Sequence, residues 1–300
     1  MITRREFNAL VGAGLVTAPF AARSFAQGKP NSLIAGVRVG AQTYSFRDRP
    51  IDQAIEAMAG IGLSHCELWQ GHVETREAAG TAAEGPARRD ALRKWRLSVP
   101  LDVFRGVRQK FDNAGITLTA YNLSFRDDFT DEEMARGFEM ARALGVDVIT
   151  ASSNVTTAKR LDPFAKQAGI KVGLHNHGEI RPNEFATAED FATALTGVSD
   201  MIAINLDIGH FVVAGGDPLD FLDKHHARIV SIHLKDRTRA GGNVTFGAGE
   251  TPITAVLQRL RDRKWDIPAN IEYEYKGADT VEEVRKSLEY CRRALTAPTP

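Results

Sequence analysis

Four short apolar runs in the second half of the chain each end in side chains that bind divalent cations or move protons. His175-Asn176-His177-Gly178-Glu179 closes the first, Asp207-Ile208-Gly209-His210 the second, His233-Leu234-Lys235-Asp236 the third and Glu272-Tyr273-Glu274 the fourth. An isolated histidine is ordinarily a hydrogen-bonded core or surface residue. Four consecutive runs ending in imidazole or carboxylate differ if the fold makes their ends converge, because buried carboxylates repel one another and lose hydration unless a cation offsets them. Such a set points to a divalent metal site with acid–base groups beside it.

The elements that must position these ends repeat eight times. Apolar β-type runs are expected over residues 37–42, 64–68, 117–121, 146–151, 171–175, 202–207, 229–233 and 269–273, short and largely apolar as buried parallel strands are. Helical patterns follow over 51–61, 101–114, 131–144, 157–168, 188–197, 219–227, 253–263 and 281–295. Thr130, Asp217-Pro218 and Thr251-Pro252 read as helix starts, and Gly115 and Gly169 as stops. Eight βα units predict one (β/α)8 TIM barrel over residues 37–300, after a lead-in over 27–36. A doubly wound sheet is the rival, but the first strand and turn, Val39 to Tyr44, lack a glycine-rich phosphate fingerprint. Gly247-Ala248-Gly249 is weak as such a motif and is expected to shape the seventh loop. An extended loop over 70–99, with a helical piece over 86–95, follows the second strand and is either a cover for the barrel mouth or a surface elaboration.

The chain has 300 residues, with 38 basic and 38 acidic side chains and 43% hydrophobic residues. This excludes global disorder and a nucleic-acid binder driven by bulk positive charge. Cys66 and Cys291 are too few for a disulfide framework or a thiolate cluster. Residues 1–26 read as a secretory signal: Arg4-Arg5 and Phe7 resemble a bacterial twin-arginine signal, Ala9 to Ala22 is uncharged, and Ser24-Phe25-Ala26 offers small residues for cleavage. The uncharged stretch is too short for a permanent anchor, which needs about 20 residues. The expected location is therefore periplasmic or otherwise exported, and the expected partners are the twin-arginine machinery and a small carbohydrate, not nucleic acid. Removing residues 1–26 takes away three basic and one acidic side chain, leaving 35 against 37.

In order and spacing the motifs resemble the xylose-isomerase-like barrels, a superfamily of sugar isomerases, epimerases, inosose dehydratases and apurinic endonucleases. Asp-x-x-His on the sixth strand, His-x-Lys-Asp on the seventh and Glu on the eighth carry the resemblance, which extends over the chain after residue 36. It implies one metal held by a strand-five carboxylate, the strand-six aspartate, the strand-seven histidine and the strand-eight glutamate. The last three fall on Asp207, His233 and Glu272, with Glu274 on the same strand face as the alternative to Glu272. Strand five departs from the pattern, with Leu174-His175-Asn176 where relatives have Leu-Glu-Asn. His175 is then the expected fourth ligand. Two imidazoles and two carboxylates suit manganese, iron, cobalt or zinc better than magnesium or calcium.

The resemblance further implies proton abstraction α to a carbonyl, here of an unphosphorylated sugar or keto-sugar, since sugar phosphates are chiefly cytoplasmic. Reprotonation of the enediolate gives isomerisation or epimerisation, and loss of a β-substituent gives dehydration or glycoside cleavage. Epimerising relatives use glutamates on strands five and eight as acid and base on opposite faces of the substrate. Glu272 keeps that role here, while Glu179, His177 or Glu67 stands in for the lost partner, with spacing unable to choose. His210 is expected to contact the substrate or its oxyanion, or to support a ligand. Lys235 is expected to polarise the carbonyl, or to pair with Asp236 or a nearby carboxylate. Trp69 is expected to stack on a sugar ring, whereas Phe46 belongs to the core. An endonuclease-type hydrolase is disfavoured, because no Asp-x-His pair follows His233. A non-catalytic sugar-binding barrel and a homo-oligomer remain open.

Overall fold

Eight parallel strands close on themselves. They are β1 (Val37–Gln42), β2 (His65–Trp69), β3 (Thr117–Asn122), β4 (Val148–Ala151), β5 (Lys171–His175), β6 (Ile202–Asp207), β7 (Ile229–Leu234) and β8 (Ala269–Ile271). Each pairs with the next and β8 pairs with β1, completing a TIM barrel; a short antiparallel strand, Leu33–Ile34, folds back on β1. The computed structural model describes residues 29–74, 85–277 and 279–298. The export signal expected over 1–26 lies outside them, as do residues 75–84 of the long loop.

The outer layer is α1 (Ile51–Ile61), α2 (Gly85–Ser98), α3 (Asp102–Asn113), α4 (Asp131–Leu144), α5 (Thr157–Ala168), α6 (Ala188–Leu195), α7 (Ile208–Val213), α8 (Pro218–His225), α9 (Ile253–Arg263) and α10 (Thr280–Thr296). Thr130 forms a capping box with Glu133, Asp217 caps α8 ahead of Pro218, and Gly169 ends α5 with φ +68°. Thr251 does not cap α9. Its N–H instead donates to Asp236 and its hydroxyl accepts from the Arg237 N–H, so it secures the preceding loop. That loop is wrapped around Asp236, whose buried carboxylate also accepts from the N–H groups of Gly247 and Gly249. The glycine pair therefore shapes the seventh loop, as its sequence suggests.

Residues on the barrel's outer wall, such as Ile149, Leu174, Ile204 and Leu206, are fully buried under the helices. The lumen near the strand ends is polar instead. Glu67 is wholly buried there and accepts from Thr150 (2.7 Å), Gln42 (3.1 Å) and Ser231 (3.3 Å). Gly40 has no room for a side chain, because a Cβ would overlap Asn270 Oδ1 in the same layer.

The loop after β2 is anchored by a buried ion pair. Arg96 on α2 donates from Nε and Nη2 to Glu74 at 2.6 and 2.7 Å and lies 3.3 Å from Glu133 on α4. Phe46 is fully buried, and both cysteines are buried and free. Among the described residues no helix is long and apolar enough to cross a membrane.

Candidate metal and catalytic site

His175 ends β5, Asp207 ends β6, His233 is the penultimate residue of β7 and Glu272 follows β8 directly. The barrel brings them together at its C-terminal end, buried, with one ligand atom from each lying within 4.8 Å of the others. This is the end of the barrel where such folds carry their active sites. Ligand atoms around a tetrahedral zinc ion stand roughly 3.3–3.4 Å apart, so the quartet would draw together to hold one.

Local structure aims two of the four atoms at a common point. The side chain of Asn176 pairs with the Asp207 backbone in both directions, at 2.9 and 3.1 Å, and so ties the end of β5 to the end of β6. Asp207 Oδ1 caps α7 by accepting from His210 N–H at 2.7 Å, which turns Oδ2 inward. His175 Nδ1 lies 3.3 Å from the Ser152 hydroxyl, leaving Nε2 toward Asp207 Oδ2 at 3.7 Å. Both atoms are buried; His175 Nε2 has no hydrogen-bond partner, and Asp207 Oδ2 has only the ammonium of Lys235, at 3.0 Å. A buried unpaired polar group costs roughly 1–3 kcal/mol. An unpaired imidazole nitrogen and a carboxylate oxygen facing one point, beside two further ligand types, fit a divalent cation.

His233 is set for the same role from behind. Its Nε2–H points at both oxygens of Glu67, each 3.0 Å away, while Nδ1 faces Glu272 Oε2 at 3.0 Å. Burial alone would push this imidazole toward neutrality, but Glu67 and Glu272 outweigh it and raise its pKa well above the usual value. A carboxylate that fixes the far nitrogen of a ligand histidine orients the ring and strengthens it as a donor.

Lys235 Nζ occupies the space among the carboxylates, 3.0 Å from Asp207 Oδ2, 3.0 Å from Glu272 Oε2 and 2.8 Å from Glu274 Oε2. Burial opposes its charge, yet Asp207, Glu272 and Glu274 together raise its pKa and keep it protonated. Asp236 is not its partner, being occupied by backbone N–H groups. His210 lies between two cationic side chains, with Nε2 2.9 Å from Lys235 Nζ and Nδ1 against Arg237. Burial first, then Lys235 and His175, holds His210 neutral against the pull of Asp207. Burial and His175 likewise bring His177 down to about 4.

These groups line a cavity of about 200 Å³ whose wall includes Trp69, His177, His210, Lys235, Glu272 and Glu274. Two expected residues are elsewhere. Glu179 is exposed and pairs with Arg181 at 2.5 Å, because the chain leaves the barrel mouth after Gly178. Glu67 sits below the quartet with its carboxylate enclosed, where it supports His233 and does not meet a substrate. Gln42, Tyr44, Asn122, Ser124 and Ser152 also line the cavity and are not singled out by the sequence reading. Gln42 and Asn122 are polar residues ending β1 and β3, so the strand-end argument extended to the first half of the barrel finds them.

The sequence profile of the family described as xylose isomerase-like TIM barrels matches residues 55–294, and the chain belongs to that family. An inosose dehydratase from Lacticaseibacillus casei is 31% identical over 81 residues, a match spanning 27% of this chain and only 26% of that enzyme. Among solved structures, a 3-keto-D-glucoside 4-epimerase from E. coli superposes with a TM-score of 0.64 at 14% identity, covering 85% of this chain and 99% of that one. The IOLI protein, solved with a bound zinc atom, gives 0.61 at 16% identity, covering 87% and 96%. At these identities the structural likenesses establish the fold alone.

Proposed function

We propose that the protein is a divalent-metal-dependent enzyme that removes the proton α to the carbonyl of an unphosphorylated sugar or keto-sugar. The observation that carries this reading is the buried quartet His175, Asp207, His233 and Glu272, with His175 Nε2 unpaired, at the floor of a polar cavity that His175 and Glu272 line. A cation held by the quartet would polarise the carbonyl and stabilise negative charge developing on its oxygen. Trp69 offers the ring a flat apolar face, and His177 hydrogen-bonds a hydroxyl as a neutral imidazole. Lys235, protonated, presents a donor toward the carbonyl side of the ring, and neutral His210, between Lys235 and Arg237, holds that ammonium in place. Glu272 takes the α-proton, and Lys235 Nζ holds the proton to be returned.

One observation favours a lyase over an epimerase. The carboxylates of the cavity, Glu272 and Glu274, lie after β8, while His175 and His177 stand on the β5 side and Glu179 points to solvent. A single basic face suits proton removal followed by loss of a β-substituent, as in a dehydratase. The test is deuterium uptake at the α-carbon of a panel of keto-sugars in heavy water, with and without added manganese or zinc. Metal-dependent exchange is expected; its absence across the panel would sink the proposal. Product analysis then separates inversion from elimination. The twin-arginine reading of residues 1–26 has its own test: replacing Arg4 and Arg5 by Lys should retain the protein in the cytoplasm.

A further inference from the structure

A second cavity, of about 810 Å³, adjoins the first, and Trp69 lines both. The turn after β2 and α2 build one wall, with Leu92 as its apolar residue, and Ile51 from α1 stands opposite; Arg47, Asp48, Arg49 and Arg88 add charged groups to the lining. This wall is fixed in place. The Glu74–Arg96 pair is buried, with side chains only 2% and 6% exposed, and Arg96 also reaches Glu133 on α4.

Trp69 is held just as firmly. Its ring meets Tyr44 edge-on at 5.0 Å and His72 at 5.5 Å, and a Cβ on Gly71 would overlap the indole. Its backbone N–H donates to Thr43 Oγ1 at 2.9 Å. A clamped aromatic plane shared by two cavities serves as a platform for two rings joined to each other. The inner cavity is smaller than the roughly 300–1,000 Å³ usual for small-molecule sites, and the outer one supplies the missing room.

We infer that the substrate is a glycoside, with its reacting sugar ring in the inner cavity and a ring-bearing aglycone or second sugar seated beyond Trp69 in the outer one. The inference rests on the proposed function in placing the sugar ring over the quartet. It assigns the long loop to substrate selection.

The test is calorimetric titration with the methyl and phenyl glycosides of 3-keto-glucose, on the metal-loaded full chain and on Leu92→Glu and Ile51→Glu, each of which puts a carboxylate against an apolar ring seated in the outer cavity. The phenyl glycoside is expected to bind about tenfold more tightly, the gain an aromatic contact supplies, and each variant to abolish that preference. Equal affinities, no detectable binding of either glycoside, or a preference that survives both variants overturns the inference. Deuterium exchange on the same samples keeps the two claims apart. Selective phenyl binding without exchange rejects the proposed chemistry and leaves the outer subsite standing. Exchange without selectivity rejects the subsite alone.

Discussion

Replacing Glu67 by Gln tests the site from a residue that touches neither cation nor substrate. Glu67 accepts from His233 at 3.0 Å on each oxygen and from Thr150, Gln42 and Ser231. Gln keeps the shape and half of the acceptor capacity but removes the charge behind the imidazole. Loss of such a supporting carboxylate lowers metal affinity about 10–100-fold, or about 1.4–2.8 kcal/mol. A second effect has the opposite sign. The same charge raises the His233 pKa, so its removal also weakens the proton that competes with the metal for Nδ1. The full loss should therefore appear at alkaline pH and narrow toward acid pH. Competition against a chromophoric chelator from pH 6 to 9 measures this, with near-ultraviolet circular dichroism to show that the variant is folded. Unchanged affinity at the alkaline end in a folded variant would refute the role given to Glu67.

Three further outcomes are expected. In the unsubstituted protein, metal binding displaces the Nδ1 proton of His233, so affinity should rise with pH by up to about tenfold per unit below the raised pKa, and a flat chelator titration contradicts this. In the metal-free state the two partners act oppositely on stability. The contribution of Glu67, whose pKa is lowered because His233, Thr150 and Gln42 together outweigh burial, is lost as pH falls below about 4.3 through its folded value. That of His233 is complete below about 6.5 and is lost as pH rises through its raised value, so urea midpoints should decline on both sides. His175→Glu should move metal preference toward harder cations, read as a higher manganese-to-zinc ratio after dialysis against an equimolar mixture. Glu179→Ala should leave metal content intact and the exchange rate within about twofold, since its exposed pair with Arg181 is of the weakly coupled kind; a tenfold loss would restore Glu179 to the site.

Much of this was readable along the chain because strand ends in a closed barrel must meet. That rule picked out the four strand ends, the resemblance chose His175, Asp207, His233 and Glu272 among their candidates, and the βα rhythm supplied the strands. Alternation along β2 turns Glu67 into the lumen. Parity does not say at what depth a side chain stops, and Glu67 halts one layer below the cavity because His233 caps it. Glu179 was misplaced for a related reason: beyond Gly178 the backbone is a loop, and spacing from a strand no longer sets direction. The last strand ends at Ile271, two residues earlier than its apolar pattern suggests, so the positions of Glu272 and Glu274 are set by the loop that follows. Trp69 was expected at the site, but the outer cavity beyond it depends on the meeting of α1, α2 and the turn after β2, contacts between segments far apart in sequence.

The ammonium of Lys235 gives the quartet a resident counter-ion. Standing 3.0 Å from Asp207 and Glu272, it relieves the mutual repulsion of the carboxylates before any metal arrives. The barrel is thus not obliged to wait for its cation in order to fold, unlike small domains whose folding energy is metal binding itself. Loading would be a trade between two positive charges, with Glu274, 2.8 Å from the ammonium, available to keep the lysine as a cation takes Asp207 and Glu272. Chelators should then empty the site and leave the barrel standing.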